Sequence, residues 1–114
     1  MALALKIVTR LQSTFAVRSG GHNPNPGFGS VGQSGILLDL CALNEISLSH
    51  ERDVASVGPG TTWDSVYEEL EKHQLTVAGG RASGVGVGGL IIGGFASLFC
   101  NLSLCSGNHM APLM

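Results

Sequence analysis

The sequence predicts an α+β domain built around two glycine-rich loops, and three observations predict it. Residues 62–73 carry apolar side chains at helical spacing, several short apolar runs have strand length and end at turn residues, and two long segments are nearly free of bulky side chains. The same elements are also compatible with an α/β arrangement. Either way, the order is strand, glycine loop, strands, helix, strand, glycine loop.

The first element is an amphipathic helix over Met1 to Leu11, with Leu3, Ile7, Val8 and Leu11 on one face. Lys6 and Arg10 lie inside this apolar stretch and no small-residue cleavage site follows it, so it does not read as a secretory signal. Thr14 to Val17 is a short β-branched and aromatic strand. Residues 19–34 then form a long loop in which Pro24 and Pro26 forbid helix. Ile36 to Leu40 is an apolar run of strand length, expected to be buried on both faces. After a turn at Ala42 to Asn44, Glu45–Ser49 and Asp53–Val57 are two further strands, the second closed by Gly58-Pro59-Gly60.

The clearest helix runs from Thr62 to His73. Thr61 is placed to cap it, with Asp64 three residues on in a capping-box-like position. Trp63, Val66, Tyr67 and Leu70 share its apolar face, and Glu68 with Lys72 makes a favourable i,i+4 pair. Leu75 to Ala78 is a short strand, followed by the second glycine loop, Gly79 to Gly89, and an apolar piece from Leu90 to Phe99. The stretch from Cys100 to Met114 has no usable periodicity. The domain is therefore expected to occupy residues 1–99, with 100–114 as an irregular tail.

Composition narrows the function classes. The chain has 114 residues, enough for one small domain. Charged residues are 12% of it, about half the roughly 25% usual for soluble domains, and its 17 glycines are about twice the usual share. So little charge suits the interior portion of a larger protein. Six Lys plus Arg and a net charge of −2 leave no basic stripe, which argues against a nucleic-acid partner. Cys41, Cys100 and Cys105 are an odd set without a disulfide pattern. Cys100, Cys105 and His109 lack a fourth ligand at zinc spacing, so no metal is expected.

Two loops poor in side chains let a ligand approach the main chain, where successive amides make concave anion sites suited to a pyrophosphate. A Walker A loop is excluded, because Gly-Lys-Ser and Gly-Lys-Thr do not occur. Gly-x-Gly-x-x-Gly occurs twice, at Gly27/Gly29/Gly32 and Gly84/Gly86/Gly89, but neither match has its context. The first lies in a proline-broken loop that opens onto no helix. The second has no acidic residue after it to hold a ribose, the last acid being Glu71.

A third reading comes from resemblance. Phe15-Ala16-Val17-Arg18-Ser19-Gly20-Gly21-His22 followed by Gly27-Phe28-Gly29-Ser30 resembles the first flavin loop of the vanillyl-alcohol-oxidase and berberine-bridge-enzyme superfamily of FAD-linked oxidoreductases. The order and spacing continue through Ile36-Leu37-Leu38-Asp39-Leu40, Val57-Gly58-Pro59-Gly60, Trp63, Tyr67 and Leu70. They continue further through Gly79-Gly80-Arg81, Val85-Gly86-Val87-Gly88-Gly89-Leu90 and Gly93-Gly94. The match spans about residues 3 to 97, and the resemblance points to the fungal secondary-metabolite members of the family.

The resemblance implies a partial PCMH-type FAD-binding domain, truncated at both ends, with FAD as cofactor. It implies that His22 bonds covalently to the 8-methyl group of the flavin ring, a role suited to a nucleophilic neutral imidazole. It further implies that Ser19, Gly20, Gly21 and Ser30 offer donors to the pyrophosphate. Gly80, Val85, Gly86 and Gly89 would line the second side, near the adenosine and ribityl portions. Arg18 is either an anchor or a cofactor contact. The family's reaction is hydride transfer from a small organic substrate to flavin, commonly with reoxidation by O₂.

The chain departs from the pattern after Gly94, where Phe95-Ala96-Ser97 stands in place of a further glycine and serine. Cys105 lies near the place of a second covalent link, but the Asp-Asn pair expected beside it is missing, so that role is not carried over. The substrate domain and general base lie beyond the matched region. A small-molecule substrate is therefore expected only where such a domain is supplied, and no catalytic residue is assigned.

A non-catalytic remnant and a membrane-associated piece are the alternatives. Ala82 to Met114 carries no Asp, Glu, Lys or Arg, but its glycine density and Asn101, Asn108 and His109 disfavour insertion. Asn101-Leu102-Ser103 is a glycosylation sequon that matters only on a secretory route.

Overall fold

In a computed structural model of the chain, residues 2–94 and 110–112 are described. The elements run α1 (Ala2–Arg10), β1 (Phe15–Arg18), β2 (Ile36–Asp39), β3 (Ile46–Leu48), β4 (Ala55–Val57), α2 (Trp63–Glu71), β5 (Leu75–Val77), α3 (Val87–Gly93) and β6 (Met110–Pro112). The mixture of helix and strand is the expected one.

Among the described residues the strands pair as three two-stranded sheets. β1 and β2 run parallel, from Phe15 opposite Ile36 to Arg18 opposite Asp39. β3 and β4 form an antiparallel hairpin, with Ile46 opposite Val57. β5 pairs antiparallel with β6, so part of the tail expected to be irregular returns to the body as a strand. Three residues are too few to leave a period in the sequence. The residues weighed as zinc ligands, Cys100, Cys105 and His109, and the sequon at Asn101 lie outside the described residues, as does the end of the apolar piece, 95–99.

The core forms around α2. Trp63, Val66 and Leu70 share one helical face and pack with Val77 of β5 and Val87 of α3. Ile46, Leu48, Ala55 and Val57 of the hairpin close over them. Leu70 and Val66 are fully buried, each worth about 1.5–3 kcal/mol of burial.

Local details around α2 differ from expectation. Thr62, not Thr61, is the N-cap of α2, and its side chain makes no capping bond. Thr61 is instead buried, its carbonyl accepting the Val87 amide at 2.8 Å. Lys72 pairs with Glu69 at 2.7 Å rather than with Glu68, since i,i+3 and i,i+4 partners lie equally within reach on a helix.

In α1 only Val8 of the predicted apolar face is buried, while Leu3, Ile7 and Leu11 are exposed. β2, expected to be covered on both faces, is only half-buried along Ile36–Leu38, and Asp39 is exposed. A two-stranded sheet has too little of the fold around it for full cover.

α3 begins inside the segment expected to be all loop. Gly88 and Gly89 in its first turn each cost about 1 kcal/mol relative to Ala, which hides the helix from propensity. Burial of Val87 against α2 supplies the compensation.

Candidate functional site

β1 delivers the first loop. At the end of the parallel pair, Nη2 and Nε of Arg18 both donate to Asp39 Oδ2, at 2.5 and 3.1 Å. The Cys41 amide donates to the other carboxylate oxygen at 2.9 Å. Those hydrogen bonds, Arg18's foremost, hold the Asp39 carboxyl down at about 2. Arg18 is therefore an anchor. Its aliphatic stem lies beneath Gly21, where a Cβ would stand 3.0 Å from Arg18 Cδ, and Gly21 takes a left-handed φ of +66°. The chain turns there and brings His22 into the site.

The second loop is held by the start of α2. The Trp63 amide donates to the Val85 carbonyl at 3.0 Å, and Thr62 bridges Gly86. The Ser19 hydroxyl donates to the Pro59 carbonyl at 2.6 Å, which ties the first loop to the Gly58–Gly60 turn.

The two loops then meet main chain to main chain. A Cβ on Gly20 would stand 2.5 Å from the Gly86 nitrogen and 2.7 Å from the Gly84 oxygen, and a Cβ on Gly86 would strike the Gly20 nitrogen and the Ser19 hydroxyl. Only glycine fits at either position.

The contact floors a cleft of about 660 Å³. Of the sequence-predicted residues, Arg18, Ser19, Gly20, Gly21 and His22 line it from the first loop, and Val85, Gly86 and Gly89 from the second. His22 lies beside the second loop, its Cδ2 being 3.9 Å from where a Cβ of Gly84 would sit.

Ser30 and Gly80 do not line this cleft. The Ser30 hydroxyl points to the Val31 carbonyl at 3.4 Å. Gly80 lies against the Trp63 indole, and its carbonyl accepts the Tyr67 hydroxyl at 2.9 Å. Burial, with the charge of Asp64 second, pushes that phenol up from its ordinary value. Gly80 thus serves the core. The cleft also takes in Asn23, Pro24, Asn25, Phe28 and Leu90, which residue-type reasoning passed over. For Asn23, Pro24 and Asn25 the only signal was their place in the same loop as His22, whereas Phe28 and Leu90 stand in the runs that carry the resemblance.

Chemically the cleft is rich in main chain and poor in charge. The guanidinium of Arg18 is committed to Asp39. Among the described residues the amides of Gly20, Gly21 and His22 have no hydrogen-bond partner. Such a surface suits an anion held by backbone N–H groups. The volume lies within the roughly 300–1,000 Å³ of small-molecule sites. Two glycines that exclude any side chain, free amides beside them and an imidazole at the edge fit a diphosphate attached to a ring system. Among the described residues no group of His, Cys, Asp and Glu is arranged to hold a metal ion, and no helix is long and apolar enough to cross a membrane.

Comparison with known proteins gives the same cofactor. A family model described as an FAD binding domain matches residues 1–108. An FAD-dependent monooxygenase of Aspergillus niger is 46% identical over 101 residues, covering 89% of this chain and 17% of that protein. One of Penicillium terrestre is 52% identical over 99 residues, covering 85% of this chain and 19% of its own length. Among solved structures, a berberine bridge enzyme variant in complex with (S)-reticuline superposes with a TM-score of 0.72 at 30% identity. That match covers 82% of this chain and 19% of the enzyme. The chain spans under a fifth of the length of these relatives.

Proposed function

The chain belongs to the FAD binding domain family of FAD-dependent oxidoreductases and monooxygenases, and from that premise we propose that it supplies both loops that grip the cofactor, with His22 as the covalent attachment point. The observation that carries this reading is the single cleft in which Gly20 and Gly86 interlock and His22 stands beside Gly84.

The amides of Gly20, Gly21 and His22 would hold the diphosphate from one side, while the Ser19 hydroxyl, donating to the Pro59 carbonyl, keeps that loop in place. Val85, Gly86 and Gly89 would face it from the other. The imidazole of His22, a good nucleophile when neutral, would carry the bond to the 8-methyl carbon of the flavin ring. Arg18 keeps the loop in place through Asp39 instead of binding the cofactor. FAD, when bound, supplies hydride acceptance from a small organic substrate and reoxidation by O₂. In this family a substrate-holding region would have to complete that reaction.

The test compares the wild-type chain with His22→Ala after reconstitution with FAD. The wild type is expected to keep yellow fluorescence in the acid-precipitated protein. His22→Ala is expected to bind FAD reversibly and lose all of it on precipitation. Acid-stable flavin in the variant, or none bound by a folded wild type, contradicts the reading.

A further inference from the structure

The second loop is also held by a side chain that does not line the cleft. Asp64, in the first turn of α2, accepts the Gly84 amide at 2.6 Å and the Ser83 hydroxyl at 3.2 Å, both through Oδ2. An acid in a helix's first turn ordinarily serves the free amides of its own helix. Here the carboxylate faces the loop twenty residues downstream instead.

Gly84 takes a φ of +76°, and it stands directly before Val85, whose carbonyl meets the Trp63 amide, and Gly86, which meets Gly20. We infer that Asp64 is a positioning residue of the cofactor cleft, fixing the turn at Ser83 and Gly84 so that Gly86 seats against Gly20.

Glycine at position 84 samples left- and right-handed backbone about equally. A charged acceptor on its amide makes a hydrogen bond roughly twice as strong as a neutral one and selects the observed state. Removing it frees the peptide that precedes the Gly20–Gly86 contact, while the core face of α2 (Trp63, Val66 and Leu70) is untouched. The effect on cofactor binding rests on the proposed FAD reading; the effect on the loop does not.

The experiment follows amide hydrogen exchange at Gly84 and Gly86 by NMR in the 114-residue chain without cofactor, together with FAD affinity by fluorescence titration. Asp64→Ala is expected to speed exchange at Gly84 about tenfold and to weaken FAD binding by about the same factor, the scale of a lost bond to a charged group. Asp64→Asn keeps a neutral carbonyl oxygen for the Gly84 amide and is expected to fall between the wild type and Asp64→Ala in both. Glu68→Ala, on the exposed side of the same helix, is expected to change neither. Unchanged Gly84 exchange in Asp64→Ala, or an Asn variant as damaged as the Ala variant, overturns the inference. A wild-type chain that binds no FAD removes the flavin reading, and the exchange comparison still decides the role of Asp64.

Discussion

Gly20 and Gly86 touch through backbone atoms that have no flexible end to yield. Gly20→Ala or Gly86→Ala should therefore cost about 1–3 kcal/mol, the scale of overpacking, and weaken FAD binding by about 5- to 150-fold, the same energy written as an affinity ratio. Thermal unfolding and FAD titration of the two variants check this; wild-type values in both would contradict it. Arg18 and Asp39 make a second residue-scale prediction. The Asp39 carboxyl lies at about 2 in the fold against an ordinary 3.8, so its contribution is fully present above 3.8 and is lost as pH falls toward 2. Asp39→Asn should be less stable than wild type at neutral pH, and the gap should close across that acid range in unfolding curves. The place of His22 in the cleft was legible from the run Ser19-Gly20-Gly21-His22. For Arg18 the sequence offered an anchor or a cofactor contact without choosing, because the partner Asp39 stands 21 residues away and only the parallel register brings the two together.

At the scale of elements, α2 organises both core and site. Leu70→Ala should destabilise by about 2–5 kcal/mol, because a fully buried side chain leaves a cavity. Leu3→Ala on the open face of α1 should stay within about 0.5 kcal/mol. Denaturant unfolding of the pair separates a helix that carries the core from one that hardly touches it. α2 was legible because Trp63, Val66, Tyr67 and Leu70 repeat at helical spacing. α3 was hidden by its glycines, and β6 by its length. The helix cap was misread for a related reason: Thr61 and Thr62 are alike in sequence, and only the bond from Val87 to the Thr61 carbonyl draws Thr61 into the interior and leaves Thr62 at the boundary.

Across the whole molecule, the two loops and, through the resemblance, their sharing of one cofactor site were legible, and what was not is the direct contact between them. Each glycine string alone resembled a common and unspecific pattern. Their meaning lies in the contact between Gly20 and Gly86, which no local rule contains. Gly80 and Ser30 illustrate the limit, since both sit in the right segments while neither lines the cleft, Gly80 lying against Trp63 and Ser30 bonding the Val31 carbonyl. The most direct test of the two-loop grip is a titration of the isotope-labelled chain with ADP, which carries the diphosphate without the flavin, followed by amide chemical shifts. Gly20, Gly21 and His22 should move together with Gly86 and saturate at one common concentration. Shifts confined to one loop, or absent from both, would contradict a shared diphosphate cradle.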